Sequence, residues 1–199
     1  MKTTWIVAIL AGVALLAGGF LLLDARAMHS QTLQNTITAS AASPSEESTR
    51  NLLGPNVSLV VAPGPALAQP LAAALTRRLA ELPGMGPVVS LQPEQLEAVS
   101  GTPLLAVTVE PEEIHWTPVS SRATVHTSAA FSTLGDVSFV QPGANHFTSP
   151  GVPVIQMHIS IDTTDRSWGL MTLPAYRRYL AEAITAKVIE ALQAQLYSS

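Results

Sequence analysis

The stretch Leu173–Leu196, LPAYRRYLAEAITAKVIEALQAQL, decides the fold because it predicts one long amphipathic helix. Pro174, with Thr172 just before the stretch, marks its start, since proline is tolerated in the first turn and threonine is a common cap. A helix with a single apolar stripe must cover that stripe with another element, so we expect it to pack across a sheet. The stripe recurs every four residues and comprises Tyr176, Leu180, Ile184, Val188, Leu192 and Leu196.

Two segments upstream supply the centre of that sheet. The first runs from Ala123 to Phe131 and the second from Gly151 to Asp162, and in both the odd-numbered residues are mainly apolar while the even-numbered ones are mainly polar. A period of two indicates strands with one face on the core and one face in water. We predict that they form an antiparallel hairpin, and that the polar residues from Asp162 to Ser167 form a turn before the last helix.

The remaining domain elements are shorter. Val57–Ala62, Pro87–Leu91 and Leu104–Val109 are apolar runs bounded by breakers and predict strands, and Ala66–Leu82 has the spacing of an amphipathic helix. The predicted order is β-α-β-β-β-β-α. Helices separated from a run of strands favour an α+β fold, here with a mainly antiparallel sheet packed by the long C-terminal helix.

This order of elements is similar to that of small α+β domains in bacterial envelope proteins, including lipopolysaccharide-assembly lipoproteins and accessory proteins of transporters. The resemblance covers Val57–Leu196 and consists of element order, so it implies no functional residues. The chain contains no cysteine and therefore lacks the acylated cysteine of a bacterial lipoprotein.

The N-terminal segment Trp5–Leu23 is uncharged and apolar throughout. As a helix, its 19 or so residues would span about 28 Å, close to the hydrocarbon thickness of a bilayer. Lys2 ahead of it favours a cytoplasmic N-terminus with the rest exported. A cleaved secretory signal is the alternative, because Ala25–Ala27 matches a small-x-small cleavage pattern, but the apolar run is long for a signal.

These features divide the chain into three parts. Residues 1–27 are a transmembrane anchor or signal sequence, 28–55 a flexible tether rich in Ser, Thr, Asn, Gln and Ala, and 56–199 an extracytoplasmic α+β domain. We therefore expect a single-pass protein of the cell membrane. The membrane is one partner, through the N-terminal helix, and an envelope protein is a second.

Composition excludes several function classes. The net charge of −4 and the absence of any large Lys/Arg cluster argue against a nucleic-acid partner. Without cysteine there are no thiol nucleophiles or iron–sulfur clusters, and the chain has no phosphate-binding loop, dinucleotide fingerprint or HExxH motif. No cofactor is predicted, and the oligomeric state stays open.

The candidate site residues are His126, His158 and Asp162, which lie on the polar faces of the two alternating strands. If the hairpin is centred near Pro142, the two histidines lie opposite each other, close enough to share a metal ion with Asp162. Two exposed histidines on a solvated sheet face are the simpler interpretation. An acidic cluster around Glu110 and Glu113 favours a charged strand end over a cation site.

Two functions follow from these observations. The first is a membrane-anchored binding or scaffolding module of a bacterial cell envelope without catalytic activity. The second is a membrane-tethered, metal-dependent hydrolase that uses His126, His158 and Asp162. Trp168, Tyr176 and Tyr179 are a further candidate, either as an exposed aromatic patch for a partner or as filling between sheet and helix.

Overall fold

The computed structural model describes residues 12–13, 27–42, 56–62, 66–93, 95, 102–110, 113–133, 135 and 156–196. Apart from residues 12 and 13, the predicted anchor Trp5–Leu23 lies outside these ranges. Within them no helix combines the length and apolar character needed to cross a membrane. The division of the chain into anchor, tether and domain therefore stays a prediction.

The described elements follow one another in the order β-β-α-β-β-β-β-β-α, which confirms the α+β class and the C-terminal helix. They are β1 (Ala27–Ala42), β2 (Val57–Val61), α1 (Ala68–Ala80), β3 (Val88–Leu91), β4 (Leu104–Val109), β5 (Glu113–Trp116), β6 (Ser120–Ser132), β7 (Gln156–Leu170) and α2 (Leu173–Leu196).

The strands form one sheet in the order β1-β7-β6-β4-β2-β3, with β5 also paired to β6. The prediction of a mainly antiparallel sheet is wrong, because β2 pairs in parallel with both β3 and β4 and the sheet is mixed. The physical reason is the connection through α1, since a strand that follows a crossover helix runs in the same direction as the strand before it. The pairs of β4, β5 and β7 with β6, and of β1 with β7, are antiparallel.

Strand β1 is an addition to the predicted elements. All of its residues except Ala27 fall within the predicted tether 28–55, whereas the structure pairs Ala27–Ala42 antiparallel with β7 along almost its whole length. This segment is rich in Thr and Ser and has no charged residue. This composition lacks the apolar alternation by which β6 and β7 can be predicted. The segment is therefore recognised as a strand from its pairing with β7 and not from its own sequence pattern.

Both helices pack on the same face of the sheet, and the core lies between them and the strands. The apolar stripe of α2 is fully buried from Tyr176 to Leu192, as predicted. It meets inward-facing side chains of β6 and β7, including Val125, Phe131 and Ile159. Thr172 begins the helix, because its hydroxyl accepts a hydrogen bond of 3.3 Å from the Ala175 N–H.

Strand β7 continues through the residues that were expected to form a polar turn. The alternation does not stop at Asp162: Thr163, Asp165 and Ser167 are buried, while the even-numbered residues between them are exposed. A buried carboxylate can be placed on a core-facing position only if donors surround it. The predicted turn is therefore wrong. The strand continues through Asp165 because the helix that follows supplies hydrogen-bond donors to this buried carboxylate.

The donors to Asp165 come from its own strand and from α2. Ser167 and Tyr176 donate hydrogen bonds of 2.7 and 2.6 Å to Oδ2, and Tyr179 donates one of 3.3 Å to Oδ1. Burial raises the pKa of both tyrosine hydroxyls well above their ordinary range, and the nearby Asp165 carboxylate raises both pKa values further. This Asp165 cluster fixes the first turn of α2 to the end of β7.

Candidate functional site

The structure brings together only part of the predicted metal site. Strands β6 and β7 are antiparallel neighbours, as expected, but their register pairs His126 with Asp162 and His158 with Ala130. The prediction that the two histidines lie opposite each other is wrong. The reason is that the loop between β6 and β7 is centred at a different residue. The midpoint of the pair 126 and 162 is residue 144, two residues beyond the assumed centre at Pro142.

His126 is held between two carboxylates on the open face of the sheet. Its Nδ1 lies 2.6 Å from Asp162 Oδ1, and its Nε2 lies 3.9 Å from Glu110 Oε1 and 3.5 Å from Ser128 Oγ. His158 is four residues from Asp162 on the same strand, about 13 Å away at strand spacing. Within the described residues, no group of three or more His, Cys, Asp or Glu side chains converges in a way suited to a metal ion. The metal site stays a prediction.

Asp162, His126 and Ser128 have the order of a group that orients the base, a base and a nucleophile. The surroundings lack the other part of such a site. Ser128 lies in the middle of β6, paired with Thr108 of β4 on one side and Ser160 of β7 on the other. Backbone N–H groups in an interior strand are used by the ladder, so they are not free to stabilise an oxyanion.

A second feature of the open face is a groove of about 800 Å³ at the end of the sheet formed by β5, β6 and β7. It is open to solvent rather than enclosed. Its lining combines cationic, aromatic and hydroxyl side chains and includes His115, Trp116, Arg122, Arg166, Ser120 and Trp168.

The two arginines and the histidine of the groove form a row across the sheet. His115 of β5 pairs with Arg122 of β6, which pairs on its other side with Arg166 of β7. Residues that lie directly opposite have Cβ atoms about 4.5–5.5 Å apart, so the two arginine side chains leave the sheet side by side. Arg77 and Arg78 form ion pairs with Glu182 and Glu81, but neither Arg122 nor Arg166 has an ion-pair partner among the described residues.

An apolar patch adjoins this row at the end of β7. Trp168 is 61% exposed, Val119 53% and Leu170 45%, although all three are large apolar residues. They are held close together because the Gly169 N–H donates a 3.0 Å hydrogen bond to the Val119 carbonyl. Gly169 has a φ of 136°, a conformation that residues with a Cβ rarely adopt, so glycine permits this chain path.

The three aromatic candidates have different environments. Tyr176 is fully buried between sheet and helix, where it stacks on Tyr179 at a centroid distance of 6.2 Å, and Trp168 faces solvent. Trp116 is half-buried and donates a 3.0 Å hydrogen bond to the Met171 carbonyl. Sequence reasoning identified Trp168 but missed the arginine row, because pairing Arg122 with Arg166 requires the register that the assumed loop centre gave incorrectly.

Comparison with known families finds no matching family, and no curated protein matches the chain. Among solved structures, the chain is similar to the PelC dodecamer from Paraburkholderia phytofirmans, with 17% identity and a TM-score of 0.47 over 82% of this chain and 98% of that one. A dodecamer of a single-substitution variant of the same protein matches with 17% identity and a TM-score of 0.46, over 83% and 99% of the two chains.

Proposed function

We propose that this chain is a non-catalytic binding module of a bacterial cell envelope, held at the membrane by Trp5–Leu23, with its α+β domain outside the cytoplasm. The support for the anchor is the length of the uncharged apolar run and the position of Lys2 before it. The domain would bind or scaffold another component of the envelope.

The observation that carries the binding function is the open groove with Trp168 at its edge. A tryptophan that leaves most of its surface in water, next to two further exposed apolar side chains, is typical of a surface that a partner covers. Arg122 and Arg166 add charge that no described acidic side chain neutralises. An open groove of this kind suits an extended surface better than a small enclosed substrate.

The second candidate function is a metal-dependent hydrolase built on His126, His158 and Asp162. The observation in its favour is the 2.6 Å contact between His126 and Asp162, which orients the imidazole. Elemental analysis of the purified full chain tests it directly. A stoichiometric transition metal that is lost in His126→Ala would favour the hydrolase, and a metal-free protein would leave the binding module as the better account.

The binding module is tested in cells by anchoring, topology and contact. We expect the full chain to stay with membranes after alkaline washing and to be degraded by protease added to spheroplasts. A photoreactive residue placed at Thr117, in the groove, should form a mass-shifted adduct with an envelope component. The matched control is the same residue at Val89, which is exposed on edge strand β3.

Each outcome bears on a different part of the proposal. Protection of the domain from protease in spheroplasts would contradict the exported topology. Equal cross-linking at Thr117 and Val89 would contradict the groove as the binding surface, because a general surface would then account for the adducts.

A further inference from the structure

We infer that the groove end of the sheet docks onto the surface of an anionic phospholipid bilayer. In this arrangement Arg122 and Arg166 contact lipid phosphates, while Val119, Trp168 and Leu170 enter the interfacial layer. The inference rests on the proposed function, because the anchor is what keeps the patch near a membrane. It adds that the domain lies against the bilayer instead of extending away from it.

Arg122 and Arg166 concentrate positive charge at one point of the open face. Like charges directly opposite each other in a sheet are unfavourable, and Arg122 and Arg166 are directly opposite. The nearest acidic side chain of β5 is Glu113, which pairs with Thr124 and forms no ion pair with Arg122. A phosphate oxygen placed between the guanidinium groups removes this repulsion and accepts charge-assisted hydrogen bonds.

Exposed apolar side chains lie beside the arginines. Tryptophan is favoured at membrane–water interfaces, because its ring has an apolar body and a polar N–H. A surface that combines basic residues with Trp, Leu and Val is the composition of interfacial membrane binding. An acidic chain with a net charge of −4 has no general attraction to anionic lipids, so the contact would be confined to this patch.

The start of β1 lies next to the apolar patch. Ala27, its first residue, pairs with Leu170 of the patch. The apolar segment ends at Leu23, and the four residues from there to Ala27 reach at most about 14 Å. The patch is therefore tied within that distance of the end of the predicted membrane span.

The rows of the sheet are ordered suitably for a bilayer. Along β7, alternate residues on one face are about 7 Å apart, so the order is Leu170, then Trp168, then Arg166 with increasing distance from the anchor. The apolar residues would lie deepest, the tryptophan at the interface and the arginines at the level of the phosphates. A soluble partner would have no reason to match this order relative to the anchor.

The test uses the full chain reconstituted into vesicles of phosphatidylcholine, with or without 30% phosphatidylglycerol. The fluorescence of Trp168 is measured, together with its quenching by brominated lipids. The fluorescence of the Trp168→Phe variant is subtracted to remove the contribution of the other two tryptophans. Arg122→Gln/Arg166→Gln is the test variant. The control variant is Arg77→Gln/Arg78→Gln, which removes the same charge from exposed positions on α1.

We expect Trp168 to be quenched in the anionic vesicles and much less in the neutral ones. Each arginine near an anionic surface shifts docking about fivefold, so loss of the pair should reduce the docked-to-undocked ratio about 30-fold, while the control variant behaves as wild type. Salt at 0.5 M should reduce docking in the same way. Soluble glycerophosphoglycerol, the isolated headgroup, should not displace the domain from the vesicles. Displacement would show that the arginines form a site for a free phosphate compound and not a contact with a membrane surface.

Several results would overturn the inference. If Trp168 stays accessible to aqueous iodide in anionic vesicles, lipid does not cover the patch. A protein or polysaccharide would then be the better candidate for the partner. Equal quenching in the wild type and in the arginine variant would contradict the proposed contacts between the arginines and lipid phosphates. Failure of the proposed anchor is recognised separately, because the wild-type chain would then not float with neutral vesicles after an alkaline wash.

Discussion

The two faces of the β6–β7 ladder share one backbone and one register, yet their side chains are held in different ways. On the helix-covered face, Asp165 is fully buried and its oxygens accept three hydroxyl hydrogen bonds. On the open face, Asp162 is 65% exposed at its side chain and contacts a single histidine. The difference indicates that side chains on the covered face hold the fold together, whereas those on the open face contribute little to it.

The largest difference between the faces should appear at the two aspartates. Asp165→Ala leaves Ser167, Tyr176 and Tyr179 with hydroxyls that have lost their acceptor, so we expect a loss of roughly 3–5 kcal/mol in the free energy of unfolding. Asp162→Ala is the matched control and should stay within about 1 kcal/mol, because exposed ion pairs contribute little. Urea unfolding followed by circular dichroism measures both. Equal losses would mean that the two faces are not distinct.

The next comparison lies within α2. Ile184 is fully buried in the core, so Ile184→Ala should lower the free energy of unfolding by about 2–4 kcal/mol through lost burial and a cavity. Lys187 lies on the solvent side of the helix and pairs with Glu190. Lys187→Ala should therefore change the free energy of unfolding by no more than about 0.5 kcal/mol. The midpoints of thermal unfolding give the ranking, and similar shifts for both variants would contradict the assigned helix face.

Tyr176→Phe sharpens the account of the Asp165 cluster. It removes the 2.6 Å hydrogen bond to a buried carboxylate and should lower the free energy of unfolding by about 2 kcal/mol. Tyr179→Phe is the control with the longer hydrogen bond of 3.3 Å and should have a smaller effect. An effect of Tyr179→Phe that exceeded that of Tyr176→Phe would contradict the role given to the shorter bond.

The same tyrosines predict a pH dependence. Their folded-state pKa values are raised above the ordinary value of 10.0, so below pH 10 both states keep the hydroxyls neutral and the stabilisation is complete. As the pH rises above about 10, the unfolded chain ionises first and the folded state loses stability. Denaturation midpoints between pH 8 and 11.5 should fall more steeply for wild type than for the double variant Tyr176→Phe/Tyr179→Phe. Parallel curves would argue against the raised pKa values.

Thr163 offers a change in the opposite direction. It is fully buried, and its Oγ1 has no hydrogen-bond partner among the described residues. Thr163→Val keeps the shape and removes the unpaired hydroxyl, so the free energy of unfolding should rise by about 1 kcal/mol. Thr164→Val on the open face should have almost no effect. Destabilisation by Thr163→Val in urea unfolding would show that the hydroxyl is satisfied in solution.

The smallest expected effect belongs to the arginine row. Arg166→Gln removes one of two like charges that face each other, so the free energy of unfolding should rise by about 0.5 kcal/mol at low salt and by less at high salt. Arg78→Gln on α1, which removes an exposed cation paired with Glu81, is the control and should not raise the free energy of unfolding. A clear loss of stability at Arg166 would mean that the side chain supports the fold and is not held for a ligand.

Sequence reasoning succeeded where a single period repeats over many residues. The bounds of α2 were predicted as the structure has them, because the stripe from Tyr176 to Leu196 and the cap at Thr172 point to the same element. The pairing of β6 with β7 followed from their alternation, and period two also placed His126 and His158 on one face. These features are local, so neighbouring residues suffice to identify them.

The failures share a different cause, which is information carried by distant residues. The direction of β2 relative to β4 depends on chain connections, and the register at His126 depends on where the loop after β6 turns. The polar residue types around Asp165 predict a turn, whereas Tyr176 and Tyr179 from the next helix, with Ser167, make its burial favourable. The alternation through Thr163, Asp165 and Ser167 was the available signal for the longer strand.

The ladder between β1 and β7 also has a mechanical consequence. The two strands pair at fourteen positions, and β7 pairs with β6 at thirteen more. Antiparallel hydrogen bonds run across the strands, so a pull on the chain ahead of Ala27 and along β1 stretches them together, in shear. Such a load passes from β1 into the strand that carries Asp165. A pull at right angles would instead open the ladder one bond at a time, so the domain should resist tension along its strands far better than peeling.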